Sequence, residues 1–143
     1  YLSEPGTANP DDNLFVVNNT FVNDRGNGRF LQIGATTSTP IIARNNIFSG
    51  GGTVCTQASA VLDHNYSGSG PMFVDATNFD YHLLPGSPAI DAGVDPGSGA
   101  GQSLIPTDEY VHPTASMPRP IAGTIDIGAY ELPEDIIFSD GFD

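Results

Sequence analysis

LFVVNNTF (14–21), IIARNNIF (41–48) and AVLDHNYS (60–67) are three imperfect copies of one segment, and their alignment decides the fold. Superposed, they place Asn19, Asn46 and Asn65 in one column, recurring after 27 and 19 residues. The columns Leu14/Ile41/Ala60 and Val16/Ala43/Leu62 are apolar in every row, whereas Val17/Arg44/Asp63 accepts charge. Such alternation describes a strand with one face turned inward. Unequal recurrence intervals fit stacked turns with loops of variable size. The asparagine column is expected to form the bend between strands, since Asn tolerates the left-handed backbone region. At a strand spacing of about 4.8 Å the same side chains would hydrogen-bond along the stack. On adjacent rows Arg44 would meet Asp63 as an exposed pair, worth about 0–1 kcal/mol.

Composition agrees with an all-β chain. The 17 Gly and 12 Pro interrupt every window before a helical apolar period can develop. The β-rich runs left between them are 14–17, 30–33, 40–43, 53–55, 61–62, 72–74 and 81–84. At 143 residues the chain is one domain or a piece of one. It opens on Tyr1 without a signal peptide or an apolar span, and is expected to be a mature form or a fragment. Its basic residues are Arg25, Arg29, Arg44 and Arg119, with no lysine, and the net charge is −13. That balance argues against nucleic acid and anionic membranes as partners and fits a secreted protein. Cys55 stands alone, which excludes an internal disulfide and points to a small buried apolar residue.

The second half carries three further motifs in order: PMFVD (71–75), DYHLLPGSPAIDAG (80–93) and GTIDIGAYE (123–131). Their small residues permit close approach, and Pro85 and Pro88 stop further strand pairing. They suit a module that covers the open end of a stack of turns. Asp91 and Asp126 lie among apolar neighbours, and a carboxylate held there needs a partner. Arg119 is the one basic residue of this half. A closing network of Asp91, Arg119, Asp126 and Glu131 is therefore expected.

At this point a resemblance is clear. Residues 13–70 resemble the last coils of a right-handed parallel β-helix of the pectate-lyase-like superfamily. Residues 71–131 are similar to the C-terminal region of bacterial secreted proteins of choice-of-anchor Q type, through PMFVD, DYHLLPGSPAIDAG, the stretch from Asp108 to Arg119, and GTIDIGAYE. The chain departs from that pattern at Gly70-Pro71, where Asp-Pro is usual, and in EYVHPTASMP (109–118), where relatives carry a short Asp-Gly turn. The resemblance implies a secreted or cell-surface β-solenoid of about three coils. Residues 1–70 would be its last coils, 71–131 a final coil with the closing module, and 132–143 a tail strand. Ile136, Ile137 and Phe138 give that tail an apolar face, to pack back onto the solenoid or engage another molecule.

Chemistry is weakly signalled. Asn18-Asn19-Thr20 and Asn65-Tyr66-Ser67 are formal glycosylation sequons, but a ladder accounts for all three rows including Asn46. His64, His82 and His112 share no metal-binding spacing, and Ser87 lacks a nucleophile-elbow frame. Paired carboxylates for glycoside hydrolysis would sit on an exposed strand face rather than among Gly, Ala and Pro. A calcium-assisted lyase would need a basic residue beside an acidic cluster, and none of the arginines is so placed. No catalytic residue or cofactor is assigned and the metal ligands are left open; structural Ca²⁺ remains a candidate, and the departure that follows Asp108 speaks against an ion site there. Tyr66, Phe79, Tyr81 and Tyr110 are candidates for a sugar-stacking face, set against the preferred reading of half-buried strand aromatics. The function expected is non-catalytic, structural or adhesive, with polysaccharide as ligand and head-to-tail self-association into filaments. The alternative is the end of a polysaccharide lyase or glycoside hydrolase whose active site lies in upstream coils.

Overall fold

The structure, a computed structural model, describes residues 13–120 and 123–133. The expected tail strand falls, from residue 134 onward, outside the described residues, as does the N-terminal stretch 1–12. The fold is all-β, with one 3-10 turn as its only helical element among the described residues. No described helix is long and apolar enough to cross a membrane.

The repeats build three parallel sheets. The first contributes β1 (Phe15–Val17), β2 (Thr20–Asn23) and β3 (Arg29–Leu31), and the second β4 (Ile42–Arg44), β5 (Ile47–Gly50) and β6 (Thr53–Cys55). The third adds β7 (Val61–Asp63) and β8 (Tyr66–Gly68). Strands pair in the orders β1-β4-β7, β2-β5-β8 and β3-β6, all parallel. Register follows the sequence alignment: Val16 faces Ala43, which faces Leu62, and Val17, Arg44 and Asp63 share the next row. Arg44 Nε lies 3.1 Å from Asp63 Oδ2. Strands β2, β5 and β8, which follow the asparagines, are absent from the β-rich runs read in the sequence. Each is short and contains or abuts Asn, Ser or Gly, so its signal is lost among turn residues.

The bend itself lies one column earlier than expected. Positive φ falls on Asn18 (51°), Asn45 (56°) and His64 (46°), not on Asn19, Asn46 and Asn65. The first residue of each pair makes the turn, and this frees the second to bond along the stack. Asn46 Oδ1 accepts from the Asn19 main-chain N–H at 2.9 Å and from Asn19 Nδ2 at 3.1 Å. Asn65 Oδ1 accepts in the same way from the N–H of Asn46 and from its Nδ2, both at 2.9 Å. Asn46 Nδ2 also reaches Val16 O, and Asn65 Nδ2 reaches Ala43 O, both at 2.8 Å.

Between the sheets lies a core of Leu31, Ile41, Ala43 and Phe48. Phe48 is fully buried, stacked on Phe21 and tilted against Phe30, with centroids 5.3 Å away in each case. Burying a side chain of this size contributes about 1.5–3 kcal/mol. Cys55 packs half-buried at the margin of this core rather than within it. Leu62, expected to point inward like Ala43, is 48% exposed. Its strand β7 is the edge of its sheet, and no further row of described residues covers it.

Beyond the repeats come β9 (Phe73–Asp75), the 3-10 turn Ala76–Asn78, β10 (Asp80–Leu83), and two small antiparallel hairpins. These are β11 (Ser98–Gly99) with β12 (Gln102–Ser103), and β13 (Asp108–Val111) with β14 (Ala115–Pro118). GTIDIGAYE and the residues that follow DYHLLPGSPAIDAG clasp the flank of the stack at the bends of the first two repeats, while Phe73 and Leu83 pack with Tyr66 of the third. Asn45 accepts Val94 N–H on its side chain and Gly128 N–H on its carbonyl. Asn18 Nδ2 donates to Asp126 O at 3.0 Å. Ile47 turns outward to join Leu83, Ala89 and Ile127 in a second core. Gly128 (φ 109°) is required here, because a Cβ would stand 2.7 Å from Ile47 Cδ1. The lateral position has a polar cause: the turning asparagines present unpaired amide and carbonyl groups sideways, and buried groups of that kind must be bonded.

Asn46 is fully buried and bonded on both sides. Asn46→Ala is expected to destabilise the chain by about 2–4 kcal/mol, since several buried partners lose their bonds together. The half-exposed ends of the ladder, Asn19→Ala and Asn65→Ala, should lose less. Urea unfolding of the three variants checks the ranking.

Candidate functional site

Arg119 is the centre of a buried polar cluster. It continues from β14, with its main-chain N–H bonded to Thr107 O at 2.9 Å. Its side chain and that of Glu131 are 4% and 2% exposed. Nη2 and Nε approach Glu131 Oε2 at 2.7 and 2.8 Å, and Nη1 donates to Ala129 O at 2.9 Å. Glu131 Oε1 accepts Asp126 N–H, while Asp126 accepts the N–H groups of Asp91 and Leu132, both at 2.7 Å. Every buried side-chain polar atom among the described residues has a partner.

Three of the four expected members therefore meet. Asp91 is corrected: its carboxylate is exposed and its φ is 53°, so it contributes only its main-chain N–H. Its place as a buried acid is taken by Glu109, which accepts Glu131 N–H and is 5% exposed. Glu109 was missed because the stretch 109–118 carries no hairpin signal of the Asn-Gly or Asp-Gly kind. Burial pushes the Glu131 carboxyl above the usual range, against the pull of Arg119. Burial also raises Asp126, although the N–H groups of Asp91 and Leu132 favour its ionised form.

Strand alternation converts this cluster into a surface site. On β13 Glu109 points in, so Tyr110 points out. Tyr130 precedes Glu131 just as Tyr110 follows Glu109. The two tyrosines, with Phe79, Tyr81, His82 and Met117, line a cleft of about 690 Å³. Phe79 is 77% exposed and sits at φ 64°, an unfavourable backbone for a bulky side chain. Tyr110 is 50% exposed, and its hydroxyl donates to Pro113 O at 2.7 Å. His82 lies over the Tyr130 ring at 4.0 Å and bonds Asp80 Oδ1 through Nδ1 at 2.6 Å. That bond holds the Asp80 carboxyl below its ordinary range. Desolvation, then the charge of Glu109, raises the Tyr130 phenol, which stays a neutral donor.

No family model, curated protein or solved structure matches this chain.

The remaining expected residues fall elsewhere. Tyr66 leaves the aromatic set and packs against the second core. Phe79 and Tyr110, preferred as half-buried, are exposed instead. Asn18, the acceptor of the first sequon, is 7% exposed and bonded to the clasp. No group of three His, Cys, Asp or Glu among the described residues is arranged to hold a metal ion.

Removing Arg119 strands the Glu131 carboxylate beside Asp126. Arg119→Ala is expected to cost about 3–5 kcal/mol in urea unfolding, well beyond a surface change. A second expectation concerns pH. A carboxyl whose pKa is raised by folding favours the fold most when protonated, below the ordinary values of 3.8 for Asp and 4.5 for Glu. That contribution is lost as pH rises through the raised values of Asp126 and Glu131. Stability should thus decline from the ordinary carboxyl range toward neutrality, and decline less steeply in Glu131→Gln. Unfolding curves at stepped pH measure the two slopes.

Proposed function

We propose that this chain is a non-catalytic, structural or adhesive domain of a secreted or bacterial surface protein, built as a right-handed parallel β-solenoid and binding glycans through its aromatic cleft. The observation that carries this reading is the exposure of Phe79 and Tyr110 at a cleft backed by a buried ion pair. Aromatic rings gathered at one exposed cleft mark an interaction site, and their faces suit the apolar faces of sugar rings. Support for the solenoid comes from the three in-register parallel sheets and the asparagine ladder. The resemblance to secreted β-helix proteins supports the location outside the cell. The cleft lining holds a single carboxylate, Asp80, where glycoside hydrolysis takes two, and this supports a binding role over hydrolysis.

A panel of neutral, acidic and amino-sugar oligosaccharides, titrated by calorimetry, tests the reading. At least one class is expected to bind, unchanged in length afterwards. Phe79→Ala combined with Tyr110→Ala should weaken it by about tenfold, some 1.4 kcal/mol, with no change in the thermal midpoint beyond a surface substitution. Cleavage of the bound oligosaccharide would show an enzyme instead.

A further inference from the structure

Resting on that reading of the cleft, we infer that its ligand is a cationic glycan, one bearing ammonium groups on its sugar rings, and not a neutral or acidic polymer. Aromatic faces attract both the C–H face of a sugar and a positive charge, and the attraction to charge grows as water is excluded. The cleft combines such faces with a carboxylate. Asp80 is on its wall, and the strand register sets Asp80 opposite Asp75. Among the described residues, His82 is the sole hydrogen-bond partner of the Asp80 carboxylate, through Oδ1. Asp75 and Asp108 lie outside the lining and accept from Asn78 and Thr107.

Among the described residues, no lysine or arginine lines the cleft beside the Asp80 carboxylate. The chain has no lysine. Arg44 is engaged by Asp63 and Pro96 O, and Arg119 by Glu131, both away from the cleft lining. His82 and His112 are the titratable bases that face the site, with Tyr81, Tyr110 and Tyr130 as its phenols. Asp80 is the one carboxylate of the cleft lining, on a protein of net charge −13. An acidic polysaccharide would be repelled over roughly a Debye length, about 8 Å at physiological salt. A neutral one would gain only the stacking contacts. An ammonium-bearing sugar gains stacking, the cation–π attraction and the Asp80 carboxylate together.

The test uses two probes of equal length, N,N,N-trimethylated chitotetraose, permanently charged, and N-acetylated chitotetraose. The trimethylated probe should bind wild-type protein about tenfold more tightly, and the difference should shrink as salt is raised. Asp80→Asn keeps the bond to His82 and should remove most of that difference while leaving the acetylated probe unaffected. Equal binding of the two probes, or tighter binding of the acetylated one, overturns the cationic preference and leaves the glycan site standing. Absence of binding by both, or binding that survives Phe79→Ala with Tyr110→Ala, overturns the site and the preference with it. Should Asp80→Asn not fold, the salt dependence of the wild-type difference decides alone: a difference indifferent to salt sinks the proposal.

Discussion

The bend between consecutive strands is the constraint on which the rest of the structure depends. A chain that turns sharply at the same point in every repeat exposes backbone groups that no sheet can satisfy, and these must find partners once buried. Two adjacent side chains divide the task. Asn18 and Asn45 take the left-handed turn and face sideways, while Asn19, Asn46 and Asn65 bond from row to row. In the third repeat His64 holds the turning position and pairs with Asp63 in place of the flank. The clasp accordingly engages the first two repeats, where Asn18 and Asn45 receive Asp126, Gly128 and Val94.

From that clasp the surface site follows by parity. Residues 123–131 run along the bends, and their last carboxylate, Glu131, is drawn to Arg119 beneath β13 and β14. Glu109 then meets the Glu131 main chain, and the neighbours of the two glutamates, Tyr110 and Tyr130, emerge on the solvent side. A buried ion pair contributes little net stability against an apolar equivalent, but it fixes one geometry. Here the geometry fixed is the spacing of the aromatic wall.

Much of the repeat architecture was legible in the sequence. The alignment on Asn19, Asn46 and Asn65 predicts the observed register residue for residue, because side-chain alternation and row spacing leave one pairing that buries Ile41 and Ala43. The joining of Arg119, Asp126 and Glu131 was legible too, since a lone cation among buried acids has few destinations. The role of Asp91 was not: its acidity suggested a charge partner, whereas its backbone N–H is what the fold uses. Glu109 and the hairpin around it were hidden by a turn without Gly or Asn. The aromatic cleft was half visible, as residues whose exposure no local pattern could assign.

The sequence by itself determined the all-β class, the register of the three aligned segments, the inward face of the first two repeats and the negative charge, all of which depend on residue type and spacing along a single strand. Only the tertiary structure decided which asparagine bends, where the C-terminal motifs dock and which aromatics reach water. Those outcomes depend on contacts between segments distant in the chain, such as Asn18 with Asp126, 108 residues apart. A hydrogen bond of that reach is chosen by which buried groups remain unpaired after the sheets have formed, and no local spacing carries that information.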